Sequence, residues 1–246
     1  MILSCNDAIQ FLTNLPSETI DLIIADPPYN IGVDGGKGWD SQWSSEEEYL
    51  DWSREWLNEA WRTLKPGHCM WVWGSTKTDA FLRLKLEVLN NLPDAIYQNW
   101  VIWAYDWGGR TKKTFPRKHE DILMFSKGPT FPFYPDSIRV PYKMNKNVKA
   151  GAMNHPGGKI PTDVWTQNNH TMSKEYVTWH PTQKPIALLS RIIAAHSLPG
   201  DQVLDPFSGS GSTAVAAINL NRQFIGCERD EEYYARSFGR IKLLTQ

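Results

Sequence analysis

Four short apolar runs, each closed by an acid or a glycine, constrain this chain more than any other feature. Ile20 to Ala25 runs into Asp26, Cys69 to Trp73 into Gly74, Val203-Leu204 into Asp205, and Phe224 to Cys227 into Glu228. Runs of this length that stop at a turn residue read as buried strands of an α/β sheet. Helical patterns lie between them. Tyr49, Trp56, Leu57, Ala60, Trp61 and Leu64 recur at helical spacing, and Ser44 and Ser45 stand three residues before Glu47 and Glu48 in a capping-box arrangement. Lys65-Pro66-Gly67 stops that helix. A second helix carries Leu188, Leu189, Ile192, Ile193 and His196 on one face, a third starts near Ser212 and runs to Leu220, and a fourth runs from about Glu231 to Leu244. Strand alternating with helix predicts an α/β fold: a doubly wound, mostly parallel sheet covered on both faces.

Two stretches break the alternation. Tyr97 to Tyr105 and Ile122 to Phe125 read as strands with no full helix between them, which predicts an antiparallel hairpin. Gly128 to Thr178 is rich in Pro, Gly, Asn and aromatic residues and has no clear period, so it reads as an inserted subdomain or long loops. The expected division is therefore 1–127, an insertion at 128–178, and 179–246 returning to the first domain. A length of 246 residues with 41% hydrophobic content suits one domain plus an insertion. The 22% charged fraction excludes a disordered chain. Cys5, Cys69 and Cys227 are far apart, have no metal-like spacing, and read as packing residues of a protein in a reducing, cytoplasmic compartment. No apolar run approaches membrane-spanning length, and no charged N-terminal region precedes an apolar core.

The formal net charge is −1, but the charge is unevenly spread. Between Arg110 and Lys149 stand ten basic residues (Arg110, Lys112, Lys113, Arg117, Lys118, Lys127, Arg139, Lys143, Lys146 and Lys149) against Glu120, Asp121 and Asp136, a net of +7. Such a region is either a phosphate-binding face or a solvated surface, and charge alone favours the surface.

Two constellations carry chemistry. Asp205-Pro206-Phe207-Ser208-Gly209-Ser210-Gly211-Ser212-Thr213-Ala214 follows a strand and opens a helix; its glycines allow a tight turn and close approach to a ligand. Glu228 ends the next apolar run, 17 residues after Gly211, where an acid accepts hydrogen bonds from ribose hydroxyls. The segment suggests a nucleoside-bearing cofactor. Gly209-x-Gly211-x-x-Ala214 also fits a dinucleotide fingerprint, and a plain strand-to-helix turn is a further reading. The second constellation is Asp26-Pro27-Pro28-Tyr29 at the end of the Ile20 to Ala25 run. Two prolines stiffen the backbone where a parallel sheet places its ligands, and they leave carbonyls without competing N–H donors. A carboxylate beside a flat aromatic face suits a planar ring bearing an NH2 group. A proline turn with a solvated Asp and a core Tyr fits these four residues equally well.

Taken in this order, the motifs resemble the amino-methylating DNA methyltransferases, in the beta arrangement of that family. There Asp-Pro-Pro-Tyr comes early and Phe-x-Gly-x-Gly, here Phe207 to Gly211, comes late. Leu64-Lys65-Pro66-Gly67 and His180-Pro181-Thr182-Gln183-Lys184-Pro185 match further segments, and Asp7 matches the acid placed near the N-terminus. The resemblance covers most of the chain except Gly128 to Thr178, where the family carries its target-recognition region. It implies a Rossmann-like, S-adenosylmethionine-dependent fold in circularly permuted order, the break falling between the helix after Glu228 and the strand at Ile2 to Ser4.

The resemblance also implies roles. Asp26, Pro27, Pro28 and Tyr29 are the expected catalytic residues: Asp26 and the Pro27 carbonyl accept the two N–H bonds of the target amine, and Tyr29 stacks on the base. Asp7, Lys184, Asp205, Phe207, Ser208, Gly209, Ser210, Gly211, Ser212 and Glu228 are the expected cofactor set. From the +7 segment beside that recognition region, Arg110, Lys112, Lys113, Arg117 and Lys118 are expected to touch double-stranded DNA; no metal is expected. Trp39 and Trp43 are lid or wedge candidates or packing residues of a surface loop; Trp52 and Trp61 read as core, and the His180 side chain as structural. The expected activity is methylation of a flipped adenine at N6, with N4 of cytosine as the alternative. RNA or protein methylation, a nicotinamide-dependent oxidoreductase and a non-catalytic DNA-binding module rank lower. The sequence leaves open a cognate restriction endonuclease partner, and whether the protein is a monomer or a homodimer.

Overall fold

The computed structural model describes residues 1–106, 110–142, 155–166 and 175–243. In chain order the elements are β1 (Ile2–Cys5), α1 (Ala8–Thr13), β2 (Ile20–Ala25), α2 (Glu46–Thr63), β3 (Leu64–Gly74), α3 (Ala80–Arg83), β4 (Ala95–Ala104), β5 (His119–Lys127), β6 (Val164–Thr166), α4 (Ile186–His196), β7 (Gln202–Asp205), α5 (Ser212–Asn219), β8 (Gln223–Glu228) and α6 (Glu231–Lys242). The eight strands form one sheet in the order β1-β8-β7-β2-β3-β5-β4-β6. The pairs from β1 to β3 are parallel. β5 is antiparallel to both β3 and β4, and β6 runs parallel to β4. The anticipated hairpin is thus β4–β5, and the described part of the 128–178 stretch adds β6 to the edge of the same sheet.

Both faces of the sheet are covered, which is why β2 is buried at every position. On one face Phe11, Leu12, Trp56, Leu57, Ala60 and Trp61 of α1 and α2 pack on Ile20, Ile23 and Met70. On the other, Leu188, Leu189, Ile192 and Ile193 of α4 and Ala214, Ala216 and Ala217 of α5 pack on Leu22, Ile24 and Val203. The crossover from β2 passes through α2 and that from β7 through α5, on opposite faces. β2 and β7 are neighbours, so their carboxyl ends flank the switch point where open α/β sheets bind ligands.

Local chemistry explains the boundaries. Ser45 caps α2 by accepting the Glu48 N–H at 3.2 Å, and Glu48 reaches back to accept the Ser44 N–H at 2.9 Å. The capping box therefore closes on Ser44, one residue beyond its usual partner. At the other end of α2, the Lys127 ammonium donates to the carbonyls of Trp61 at 3.1 Å and Leu64 at 2.8 Å. Burial lowers the pKa of Lys127. This lysine satisfies carbonyls left orphaned by the helix end and is not part of a basic surface. Asp21 can sit inside the start of a central strand because Lys65 donates to it at 2.5 Å and the Gln202 N–H at 2.9 Å.

The charge count of the basic stretch changes accordingly. Asp121 is buried and accepts the Trp100 indole N–H at 2.7 Å, and Glu120 faces the interior cavity described below. Arg139 pairs with Asp136 at 2.6 Å. Lys143, Lys146 and Lys149 lie outside the described residues. What remains is the run 110–118, with four exposed cations, the half-buried Lys118 and no acid. Cys69 and Cys227 are buried, as packing residues should be, whereas Cys5 is exposed. No described helix is long and apolar enough to cross a membrane.

Candidate active site

The carboxyl ends of β2 and β7 open into one cavity of about 700 Å³. Asp26, Pro27, Pro28 and Tyr29 line one end of it, and Asp7, Asp205, Phe207, Ser208, Gly209, Ser210, Ser212 and Glu228 line the other, with Lys184 also on the wall. Gly211 does not line it. That residue caps α5 at φ +76°, and a Cβ there would meet Ser237 and Ile241 of α6 at 3.2 Å, so the glycine serves helix packing. Trp52 lines the cavity 5.8 Å from Phe207, so it is a wall residue and not core; Trp61 is buried in the core as expected.

At the first end, four side chains form a closed cluster. The Tyr29 hydroxyl donates to Asp26 Oδ1 at 2.6 Å and lies 3.2 Å from Glu120 Oε2. The Lys184 ammonium sits 2.9 Å from Asp26 Oδ2 and 3.0 Å from Glu120 Oε2. Burial alone would lower the pKa of Lys184, but the two carboxylates outweigh it and hold the ammonium above its ordinary value. Burial raises the Glu120 carboxyl, against the pull of Lys184. Burial and the adjacent acids raise Tyr29 well above a normal phenol, so it remains a donor. Glu120 escaped the sequence reading, which counted it as surface charge. A signal did exist. β5 runs antiparallel to β3, with Asp121 beside Gly74, so the start of β5 lies at the ligand edge of the sheet.

The loop after Tyr29 is organised by a second residue the sequence did not single out. The Asp40 carboxylate, 2% exposed, accepts the backbone N–H groups of Tyr29, Asn30, Ile31 and Val33. It ties the loop into a fixed bend. Tyr49 donates to the Pro28 carbonyl at 3.0 Å, so that carbonyl, contrary to expectation, has a competing donor. Trp43 packs 4.4 Å from Trp52 and 5.2 Å from Tyr49, inside an aromatic cluster, which removes it as a mobile wedge. Trp39 lines the cavity and stacks on His180 at 6.4 Å. Lys37 carries the loop across the mouth, pairing with Asp230 at 2.9 Å and Glu232 at 3.0 Å.

The second end is acidic and backbone-held. Glu228 accepts the N–H groups of Gly209 and Asp230, both at 2.8 Å, and burial raises its pKa. Asp205 accepts the Phe207 N–H at 2.9 Å, and burial pushes its carboxyl up to about 7. Asp7 caps α1 through the N–H of Ile9 at 2.9 Å. His180 is neutral, its pKa lowered by burial to about 4, and packs 4.6 Å from Tyr233. A Cβ on Gly209 would approach the His180 ring at 2.7 Å, with φ at +48°, so the first obstacle to a side chain there is this imidazole. Two buried polar atoms at this end, Ser208 Oγ and His180 Nδ1, have no partner among the described residues. Both residues line the cavity, and unpartnered buried polar atoms beside a cavity call for a ligand or water.

Gln183 fixes the segment that delivers Lys184. Its side chain accepts the Val177 N–H and donates to the Glu175 carbonyl, both at 2.9 Å. The residues expected to touch DNA lie on the loop between β4 and β5. Arg110, Lys112, Lys113 and Arg117 are exposed and Lys118 is half-buried. The roots of that loop, Tyr105 and His119, line the cavity at the Asp26 end.

The sequence profile of the N6/N4 DNA methylases matches residues 20–238. The type II methyltransferase M.HpaI of Haemophilus parainfluenzae is 40% identical over 97% of this chain and 73% of its own length. The DNA adenine methyltransferase YhdJ of Escherichia coli is 37% identical over 97% of this chain and 82% of its own. Among solved structures, the M1.HpyAVI–SAM complex superposes with a TM-score of 0.61 at 25% identity, covering 97% of this chain and 98% of that one. The cytosine-N4-specific PvuII methyltransferase has the same fold, with a TM-score of 0.75 at 19% identity over 99% of this chain and 89% of its own. One cavity joins an Asp-Pro-Pro-Tyr corner to a glycine loop, and the family profile spans both; the chain belongs to the N6/N4 DNA methylases.

Proposed function

We propose that the protein transfers the methyl group of S-adenosylmethionine to N6 of an adenine flipped out of double-stranded DNA. The observation that carries this reading is the single cavity of about 700 Å³ lined at one end by Asp26 to Tyr29 and at the other by the glycine loop and Glu228. Its acidic end fits the cofactor. Asp7, Asp205 and Glu228 offer acceptors for ribose and adenine groups in surroundings that favour a cation such as a sulfonium. Ser208 Oγ and His180 Nδ1 are polar atoms still to be satisfied. The same end opposes a dinucleotide. The Gly209 N–H that would hold a pyrophosphate is taken by the Glu228 carboxylate at 2.8 Å.

S-Adenosylmethionine supplies an electrophilic methyl group on sulfur. The chain's own residues act on the amine, whose lone pair is delocalised into the ring. Asp26 and the Pro27 carbonyl accept its two N–H bonds, which draws the nitrogen towards tetrahedral geometry and frees the lone pair for in-line attack. Both Asp26 oxygens are already engaged, one by Tyr29 and one by Lys184. Glu120, within reach of both donors, provides the acceptor to which Tyr29 turns when the amine takes its place on Asp26. Lys184 keeps the second Asp26 oxygen neutralised while the proton shed by the methylated nitrogen passes to the first. The Tyr29 ring packs on the base.

The test is transfer of label from methyl-labelled S-adenosylmethionine to unmethylated DNA, followed by digestion to nucleosides. Label in N6-methyldeoxyadenosine is the expected result. Label in N4-methyldeoxycytidine would move the activity to the alternative base, and no label in DNA would overturn the reading. Adenine is favoured because the motif begins with Asp and YhdJ is an adenine methyltransferase.

A further inference from the structure

Among the large apolar side chains described, Phe115 is the most exposed, at 97%. Single exposed apolar residues are ordinary; the surroundings of this one are not. It stands in the run Arg110-Thr111-Lys112-Lys113-Thr114-Phe115-Pro116-Arg117-Lys118, which has five cations and no acid, and Pro116 restricts the backbone directly after it. The run is rooted at the cavity. The Tyr105 N–H donates to the Lys118 carbonyl at 2.9 Å, and Tyr105, His119 and Glu120 line the end that holds Asp26. The two tryptophans that the sequence offered for the same task are occupied elsewhere, Trp43 against Trp52 and Trp39 against His180.

We propose that Phe115 is the wedge that enters the base stack of the duplex as the target base leaves it, with the flanking cations seated on the phosphates at either side. The inference rests on the reading of the protein as a methyltransferase of flipped bases. A base cannot reach Asp26 from within the helix, and its departure leaves a gap in the stack. Proteins that unstack base steps fill such gaps with apolar side chains. An aromatic ring held out in water by a cationic loop, whose roots line the pocket that receives the base, meets both requirements. The cations hold the loop to the backbone through charge, without regard to sequence. The ring supplies what they cannot, a surface against which the neighbouring bases stack.

Sequencing of methylated plasmid DNA first gives the recognition site. Two synthetic duplexes then carry that site, one with the target normally paired and one with the target opposite an abasic position, where flipping is easier. Phe115→Ala should lower kcat/KM on the paired duplex by about tenfold or more and stay within about threefold of the wild type on the abasic duplex. Phe115→Trp should restore the paired duplex. Lys112→Ala with Lys113→Ala should instead weaken both duplexes alike and reduce the salt slope of binding by about one unit for each phosphate no longer neutralised. Wild-type rates for Phe115→Ala on the paired duplex would overturn the proposal, as would equal losses on both duplexes. A wild-type enzyme that transfers no methyl group to DNA at all would instead refute the underlying reading of function.

Discussion

The two ends of the cavity hold acids in opposite ways. At the amine end, Asp26 and Glu120 share a buried ammonium, Lys184, at 2.9 and 3.0 Å. At the glycine-loop end, Asp205 and Glu228 take backbone N–H groups, and burial raises both. A fixed cation gives both acids a counter-charge and opposes burial, although burial still raises the Glu120 carboxyl. Acids held only by neutral donors, backbone amides and, for Asp205, the Thr213 hydroxyl, have no counter-cation among the described residues, which suits the proposed cationic ligand. One end is electrostatically finished, and the other is completed by what binds there.

The largest effect should follow from removing the acceptor at the finished end. Asp26→Ala should abolish methyl transfer, a loss of about 10³-fold or more from transition-state stabilisation. Affinity for S-adenosylmethionine should be nearly unchanged, because the role proposed for Asp26 is on the amine. Single-turnover transfer and calorimetric titration on the same preparation separate the two, and substantial residual turnover would remove Asp26 from the role assigned to it.

Removing the cation should damage both stability and turnover. Lys184→Met leaves two carboxylates facing each other without a counter-charge. A broken, fully buried pair costs about 3–5 kcal/mol; with the Asp26 and Glu120 side chains at 23% and 18% exposure, roughly 2–4 kcal/mol is expected here. Adding Glu120→Gln should recover part of the stability, since one charge is gone. Denaturant unfolding of the single and double variants measures this. A double variant no more stable than Lys184→Met would mean that the two acids do not share the lysine.

At the unfinished end the expected losses are in binding. Glu228→Ala removes a proposed ribose acceptor and also frees the Gly209 N–H, and should weaken S-adenosylmethionine about 10- to 100-fold. Gly209→Val should do so too, because its side chain must displace the His180 ring. Calorimetry on the folded variants is the measurement, and undiminished affinity in both would move the cofactor elsewhere.

The sequence made one end far more legible than the other. The glycine loop, Glu228 and Asp7 are close to elements whose order and type the apolar runs reveal, and each works through nearby backbone. The amine end joins residues from three places in the chain: Asp26 and Tyr29 after β2, Glu120 at the start of β5, and Lys184 before α4. Periodicity identifies β5 and even its antiparallel direction, but the side of the sheet on which Glu120 emerges depends on register against β3. Asp40 is less legible still, since its four backbone bonds form only once the loop is bent. Lys127 shows the same limit in reverse, a basic residue counted as surface that is consumed by the end of α2.

The smallest effect, and the most direct probe of the contrast, is in the pH dependence of stability. Asp205 has its carboxyl raised to about 7 from an ordinary 3.8, chiefly by burial. A folded-state pKa above the unfolded one means that the native protein binds more protons between those values. The associated stability is fully present below about pH 3.8 and is lost as pH rises through 7. The limit is about 1.4 kcal/mol per pH unit within that window. His180 and His196, lowered to about 4 by burial, act in the opposite sense, adding stability above the ordinary histidine value that is lost as pH falls through 4. The wild-type slope therefore mixes terms, whereas the difference between wild type and Asp205→Asn isolates one of them. Urea unfolding at pH 5, 6 and 7 should show that difference moving in favour of the variant by up to about 1 kcal/mol per unit as pH rises. Saturating S-adenosylmethionine should flatten the trend, because a bound cation beside Asp205 favours its charged form. A difference that is independent of pH without the cofactor would show that Asp205 is already ionised at pH 5, and that the glycine-loop end does not wait for a ligand's charge.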